Sequence, residues 1–93
     1  MRIDQFLKWS RIVPRRSLAK AMCDAGRVWV NESETRAGRH VSVGDSIAVD
    51  LPHRRMTFRV VMIPENQPRK SDASRMVELL ESEQRDASGE WTA

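Results

Sequence analysis

The first 27 residues contain seven basic side chains whose spacing suits a surface that binds anions. Arg15 and Arg16 stand at the start of a predicted helix, where free backbone amides and the helix dipole favour negative charge. Lys8 and Arg11 are three residues apart and Arg16 and Lys20 are four apart, so each pair shares a helical face. The chemistry that this predicts is phosphate binding, by a surface made of Arg2, Lys8, Arg11, Arg15, Arg16, Lys20 and Arg27.

The distribution of charge along the chain favours the same kind of ligand. The net charge is +3, but residues 1–64 hold twelve Lys or Arg against six Asp or Glu, whereas residues 65–93 hold four against seven. Segregated positive charge is typical of nucleic-acid binders, because neutralised phosphates release condensed counterions. The alternative is a solvated basic face that only keeps the protein soluble, and charge alone leaves both interpretations open.

No other group of side chains predicts catalysis or metal binding. Cys23 is the only cysteine, and together with His40 and His53 it lacks the spacing of a zinc site. Trp9 and Trp29 could stack on unpaired bases, but in so small a domain we expect each to bury at least one face in the core. We therefore predict a protein that is not an enzyme and has no metal or cofactor.

The length and composition predict one compact domain with at most one appended element. A chain of 93 residues with 40% apolar content buries only about two-thirds of its unfolded surface, too little for a second core. No run approaches the roughly 18 apolar residues of a membrane span, and the first residues lack the apolar run of a signal peptide. We expect a cytoplasmic protein without a membrane partner.

Two short helices are predicted to hold the basic residues together. Asp4 is the predicted N-cap of the first helix, which should end near Pro14. Ser17 is the predicted N-cap of the second, which should end at Gly26 in a left-handed conformation. Residues 11–16 are too few for anything but a turn, so the helices should pack against each other as a hairpin.

Beyond the second helix the period of the apolar residues changes from about 3.6 to 2, which predicts a small sheet. Candidate strands cover residues 27–30, 46–50 and 56–63, with turns at Asn31-Glu32 and Val43-Gly44-Asp45.

The last third of the chain predicts a polar linker followed by a helix. Ser71 or Asp72 is its predicted N-cap, and its apolar stripe contains Ala73, Met76, Val77 and Leu80. The helix could pack back on the sheet, which we favour, or dock on a partner protein. Its acidic outer face should turn away from nucleic acid.

Several motifs resemble the S4-type RNA-binding domain, named after a small-subunit ribosomal protein. They are residues 1–8, 10–11, 15–19, 26–28, 30–31 and 41–49. The resemblance implies an α+β fold, the small S4-like (αL) domain, with a helical hairpin packed on a short antiparallel sheet, here followed by the C-terminal helix. We expect the domain to span residues 1–63, a linker and helix to span 64–84, and a flexible tail to span 85–93.

Within that superfamily the chain resembles the RqcP family of ribosome-associated quality control factors, on its length and on residues 71–80. The resemblance implies a cytoplasmic, ribosome-associated protein whose partners are 23S rRNA in the large subunit, P-site tRNA and an RqcH-type protein that adds alanine tails. Many members carry Asn-Gly where this chain has Asn31-Glu32, and glycine takes the positive backbone angle of a tight hairpin turn more readily than glutamate does. Besides its predicted cap role, Asp4 could orient Arg2.

Two other functions remain open, and a third is disfavoured. Heat-shock protein 15 is similar at the N-terminus, although its family usually carries a longer basic tail, and a generic rRNA- or tRNA-binding protein would use the same hairpin. Pseudouridine synthases also carry S4-type domains, but the residues left over here are too few for a catalytic pocket.

Overall fold

The computed structural model describes residues 1–84, which form two helices packed on an antiparallel sheet of five strands in the order β2-β1-β3-β4-β5. The predicted α+β class is confirmed. None of the described helices is long and apolar enough to cross a membrane. The elements are α1 (Ile3–Trp9), α2 (Arg16–Asp24), β1 (Val28–Val30), β2 (Ser33–Glu34), β3 (Ser46–Asp50), β4 (Arg54–Val60), a single 3-10 turn (Ala73–Met76) and β5 (Val77–Gln84).

The core lies between the helices and one face of the sheet. Alternate residues of β1, β3 and β4 are buried, whereas their neighbours on the strands are half-buried or exposed. Each large apolar side chain in this layer contributes about 1.5–3 kcal/mol through burial. The buried side chains that the two layers share are Ile3, Phe6, Leu7, Ala19, Met22, Cys23, Val28, Val30, Ile47, Val49, Phe58 and Val60.

The first helix begins one residue before Asp4, so the predicted N-cap is wrong. The residue at the cap is Arg2, which has an extended backbone and makes no side-chain cap hydrogen bond. The amides of Ile3 and Asp4 donate to the carbonyls of Arg39 and Ala37, at 2.7 and 3.4 Å. A loop distant in sequence thus satisfies amides that a side-chain cap would otherwise serve.

The predicted N-cap of the second helix, Ser17, is also wrong. The Ala19 amide already donates to the Arg15 carbonyl at 3.1 Å, so the helix begins at Arg16 and Ser17 is its second residue. The predicted end at Gly26 is confirmed: its φ is +73°, and its amide donates to the Cys23 carbonyl at 3.0 Å.

The predicted turn at Asn31-Glu32 is confirmed and joins β1 to β2. Both residues have positive φ, 51° and 71°, as a two-residue type I′ hairpin turn requires. The Asn31 side chain stabilises the turn, because its Oδ1 accepts a hydrogen bond from the Ser46 amide at 3.1 Å. Glu32 adopts its backbone angle at a cost of roughly 1–2 kcal/mol.

The predicted C-terminal helix is wrong. Its residues form one 3-10 turn and then β5, which runs antiparallel to β4 from the pair Val60 and Val77 to the pair Arg54 and Gln84, with a bulge between Thr57 and Phe58. Pairing satisfies backbone groups on the edge of β4 that a helix would have left open. Ala73 and Met76 of the predicted stripe are buried on the core side of the protein, whereas Leu80 is 44% exposed on β5.

The strand pairing also changes the predicted division of the chain. Residues 77–84 complete the sheet that residues 1–63 begin, so the described residues of the predicted linker-and-helix region belong to one unit with the hairpin. The third predicted strand, residues 56–63, is present but spans Arg54–Val60. The predicted tail, residues 85–93, lies outside the described residues.

Candidate nucleic-acid interface

A buried carboxylate joins the two helices of the hairpin. The Asp4 side chain is 3% exposed; its Oδ1 lies 3.4 Å from Arg2 Nε, and its Oδ2 lies 3.3 Å from Arg16 Nε. Oδ1 also accepts a hydrogen bond from the Gln5 amide at 2.8 Å. Both arginine side chains remain nearly half exposed, so each keeps N–H donors that can bind a ligand. Asp4 thus holds two guanidinium groups side by side at the surface.

The sequence anticipated only part of this arrangement. The contact between Asp4 and Arg2 agrees with the predicted orienting role of Asp4. The contact with Arg16 has no signal in the sequence, because it depends on how α2 folds back along α1. Arg15, next to Arg16, is exposed at the N-cap position of α2, beside that helix's free amides.

Arg11 has an unusual backbone conformation in the hairpin turn. Its φ is 62°, and its amide donates to the Lys8 carbonyl at 3.1 Å, just after the C-cap residue Ser10. Helices commonly place glycine at this position, because a side chain at positive φ is strained. Arg11 is exposed at the surface, although the backbone conformation at this position disfavours any residue other than glycine.

The hairpin turn also lines one side of a cleft with a volume of about 390 Å³. Lys8, Arg11 and Pro14 form that side, and Gln67 and Lys70 form the other. The Lys8 Nζ donates to Gln67 Oε1 at 3.4 Å. Gln67 and Lys70 are not among the predicted site residues, although Arg69-Lys70 is a basic pair within an acidic segment.

The remaining two predicted site residues stand apart from these groups. Lys20 lies one turn beyond Arg16 on α2 and pairs with Asp24 at 3.7 Å, an exposed contact worth about 0.3–0.5 kcal/mol. Arg27 is half-buried at the start of β1, and its carbonyl accepts the Asp50 amide at 2.9 Å. The structure therefore brings two pairs of the predicted residues together. Arg2 and Arg16 share the Asp4 carboxylate, and Lys8 and Arg11 line the same cleft.

The two predicted tryptophans differ in their surroundings. Trp9 packs against the core with part of its side chain, as predicted. Trp29 lies outside the core on the opposite face of the sheet, so its predicted burial there is wrong. The guanidinium carbon of Arg55 sits 4.3 Å from the Trp29 ring centroid, a cation–π contact that covers the ring. An RNA base would have to displace Arg55 to stack on that face of the ring.

The single cysteine has low reactivity at neutral pH. The pKa of the Cys23 thiol is raised to about 11, mainly by burial and to a smaller extent by the nearby carboxylates of Asp4 and Asp24. The thiol is consequently protonated at neutral pH and a poor nucleophile. Within residues 1–84 no three His, Cys, Asp or Glu side chains are grouped so that they could hold a metal ion.

Comparison with known proteins agrees with the fold. The family model described as S4 domain matches residues 1–47, which include both helices. The "RQC P-site tRNA stabilizing factor" of Halalkalibacterium halodurans is 37% identical over 83 residues, which cover 89% of this chain and 93% of that protein.

Two solved structures are similar in fold. Heat shock protein 15 of Vibrio cholerae has a TM-score of 0.80 at 24% identity, covering 86% of this chain and 81% of that one. The solution structure of a hypothetical protein has a TM-score of 0.73 at 35% identity, covering 87% of this chain and 98% of that one. The first of these similarities concerns the fold alone.

Proposed function

The chain belongs to the S4 domain family and to the family of RQC P-site tRNA stabilizing factors, and from this we propose that it binds stalled large ribosomal subunits and holds tRNA in their P site. The observation that carries the proposal is the pair of half-exposed guanidinium groups, Arg2 and Arg16, that the buried Asp4 holds together across the helical hairpin.

The arrangement suits recognition of an RNA backbone. Guanidinium groups bind phosphate oxygens through parallel N–H donors, and Asp4 fixes their orientation before RNA arrives. Arg15 adds positive charge where the amides of α2 begin. Contacts of this kind position a protein on structured RNA but read little sequence, so the hairpin would recognise 23S rRNA and P-site tRNA by shape and phosphate positions.

The proposed role in alanine tailing is one of retention. An exposed peptidyl-tRNA on a large subunit can be extended only while it remains in place, and a protein that contacts both tRNA and 23S rRNA slows its departure. The RqcH-type partner would recruit alanyl-tRNA to the same particle. In this proposal the chain contributes binding and no catalytic group.

The test compares large subunits that carry peptidyl-tRNA with empty large subunits. Subunits that carry peptidyl-tRNA should bind the labelled protein more tightly, because they offer it both tRNA and 23S rRNA, whereas empty subunits offer 23S rRNA alone. Replacing Arg15 and Arg16 together by alanine should weaken binding and make the logarithmic salt dependence shallower by up to about 1.4–1.8 units if both contact phosphates.

The matched control replaces Arg59 and Arg75 together by alanine. It removes the same charge from exposed arginines that pair with Glu78 and Asp72. Equal losses for the two double variants, with unchanged circular dichroism, would show that net charge and not the hairpin governs binding. Equal affinity for loaded and empty subunits would instead favour a generic rRNA-binding protein, and loss of alanine tails from cells lacking the protein would support the retention role.

A further inference from the structure

We propose that the cleft between the hairpin turn and residues 67–70 is a second phosphate-binding site, and that Lys70 and Gln67 contact the RNA backbone together with Lys8 and Arg11. The inference rests on the proposed function, because it assigns additional residues to the same RNA interface. It adds to that interface Gln67 and Lys70, which belong to the acidic segment, residues 65–93.

The charged residues that line the cleft, among those the structure describes, are all positive. Lys8, Arg11 and Lys70 supply three cations, and no carboxylate of residues 1–84 lines the cleft with them. Within the described part of the chain, residues 1–84, none of the three makes an ion pair. Like charges held together in a cleft repel one another, and a bound phosphate would relieve that repulsion.

The polar contact that the described residues make across the cleft is weak. The 3.4 Å distance from Lys8 Nζ to Gln67 Oε1 is long for a hydrogen bond, so a phosphate oxygen can replace that acceptor at little cost. The Gln67 amide nitrogen can then donate to the same phosphate, since a glutamine side chain both donates and accepts. Pro14 gives the cleft an apolar wall against which a ribose can pack.

The backbone around Lys70 is held in place by hydrogen bonds and burial. The Arg69 carbonyl accepts hydrogen bonds from the amides of Asp72 and Ala73, at 2.9 and 3.0 Å. Ala73 and Met76 are buried, so the turn that contains Lys70 is anchored in the protein interior. A lysine on an anchored turn loses less backbone entropy when RNA binds than a lysine on a mobile segment.

Two acidic residues of the same region lie on another surface. Glu81 and Glu83 are on β5 opposite Thr57 and Arg55, and with Trp29 they line a different cleft on the face of the sheet away from the helices. The carboxylates of Glu81 and Glu83 are therefore separated from Lys70.

The experiment compares Lys70→Gln with Arg69→Gln, an identical change of charge at the neighbouring residue, which does not line the cleft. Labelled protein is titrated with large ribosomal subunits that carry peptidyl-tRNA, between about 50 and 200 mM salt. Loss of one phosphate contact should weaken binding about four- to fivefold at 0.15 M salt and make the logarithmic salt slope shallower by about 0.7–0.9. Arg69→Gln should change affinity less than about twofold.

The double variant Lys70→Gln with Arg11→Gln tests whether the two cations share one phosphate. Their combined loss should then be smaller than the product of the two single losses. Equal affinities of Lys70→Gln and Arg69→Gln would overturn the second site while the wild-type protein still binds loaded subunits. Failure of the wild-type protein to bind those subunits would instead overturn the proposed function.

A cross-linking measurement reports position independently of affinity. A photoreactive group attached at Gln67→Cys should cross-link to RNA on loaded subunits several-fold more than the same group at Glu81→Cys. The buried Cys23, with its raised pKa, should not compete for the reagent at neutral pH. Equal cross-linking from positions 67 and 81 would contradict the proposed site.

Discussion

Replacing Arg11 by glycine should stabilise the protein and weaken its binding to RNA. Arg11 has a φ of 62° at the end of α1. An L-residue in this conformation costs roughly 1–2 kcal/mol, and glycine removes that cost but adds about 0.4–1 kcal/mol of entropy to the unfolded chain. The net gain in the free energy of unfolding is about 0.5–1 kcal/mol, which corresponds to roughly 2–8 °C in Tm for a domain of this size.

The loss of binding follows from the position of the side chain. If the Arg11 guanidinium group contacts one phosphate, its removal should lower affinity for loaded large subunits about four- to fivefold at 0.15 M salt. Arg11→Ala should show the same loss of affinity without the gain in stability, because alanine keeps the strained backbone. Urea denaturation and subunit titration of the two variants separate these effects.

Glu32→Gly is the matched control, because Glu32 also has positive φ, at 71°, and is also exposed. It should stabilise the protein by a similar amount and leave RNA affinity unchanged within about twofold. If Arg11→Gly is no more stable than Arg11→Ala, the argument from backbone strain is refuted. If it binds loaded subunits as tightly as the wild-type protein does, Arg11 makes no phosphate contact.

Three further outcomes test the fold and the site. Asp4→Asn should weaken RNA binding severalfold although it removes no cation, because the neutral amide no longer orients Arg2 and Arg16; unchanged affinity in the same titration would remove Asp4 from the site. Gly26→Ala should lower the free energy of unfolding by about 1–2 kcal/mol in urea, since its φ is +73° and a Cβ there would lie 3.0 Å from Glu34 Oε1; an unchanged urea midpoint would contradict this. The pKa of Cys23 rises from 9.0 to about 11 on folding, so the unfolded chain ionises first and stability should fall as pH rises between those values, a dependence that Cys23→Ala should lack.

The parts of the fold that local periodicity encodes could be predicted from the sequence. The hairpin of α1 and α2, its end at Gly26 and the strands β1 and β3 agree with their apolar spacing and turn residues. The N-cap of α1 could not be predicted, because its first amides donate to the carbonyls of Arg39 and Ala37. No pattern in the local sequence indicates that contact.

The C-terminal segment shows why a helical stripe can mislead. Ala73, Met76, Val77 and Leu80 fit the spacing of a helix, but a helix there would leave β4 with an unpaired edge. The same nonlocal pairing leads the chain back past the hairpin turn and places Lys70 beside Arg11. The basic residues of α1 and α2 were therefore predictable as candidates, whereas their grouping around Asp4 and around the cleft required the tertiary structure.

The acidic residues of β5 have a second effect, which does not depend on RNA. A sheet edge with open backbone groups invites another chain to add to it, and charged side chains on that edge oppose such growth. β5 forms one edge of the described sheet and carries Glu78, Glu81 and Glu83. The negative charge that would repel RNA thus also opposes the addition of a further strand to this edge.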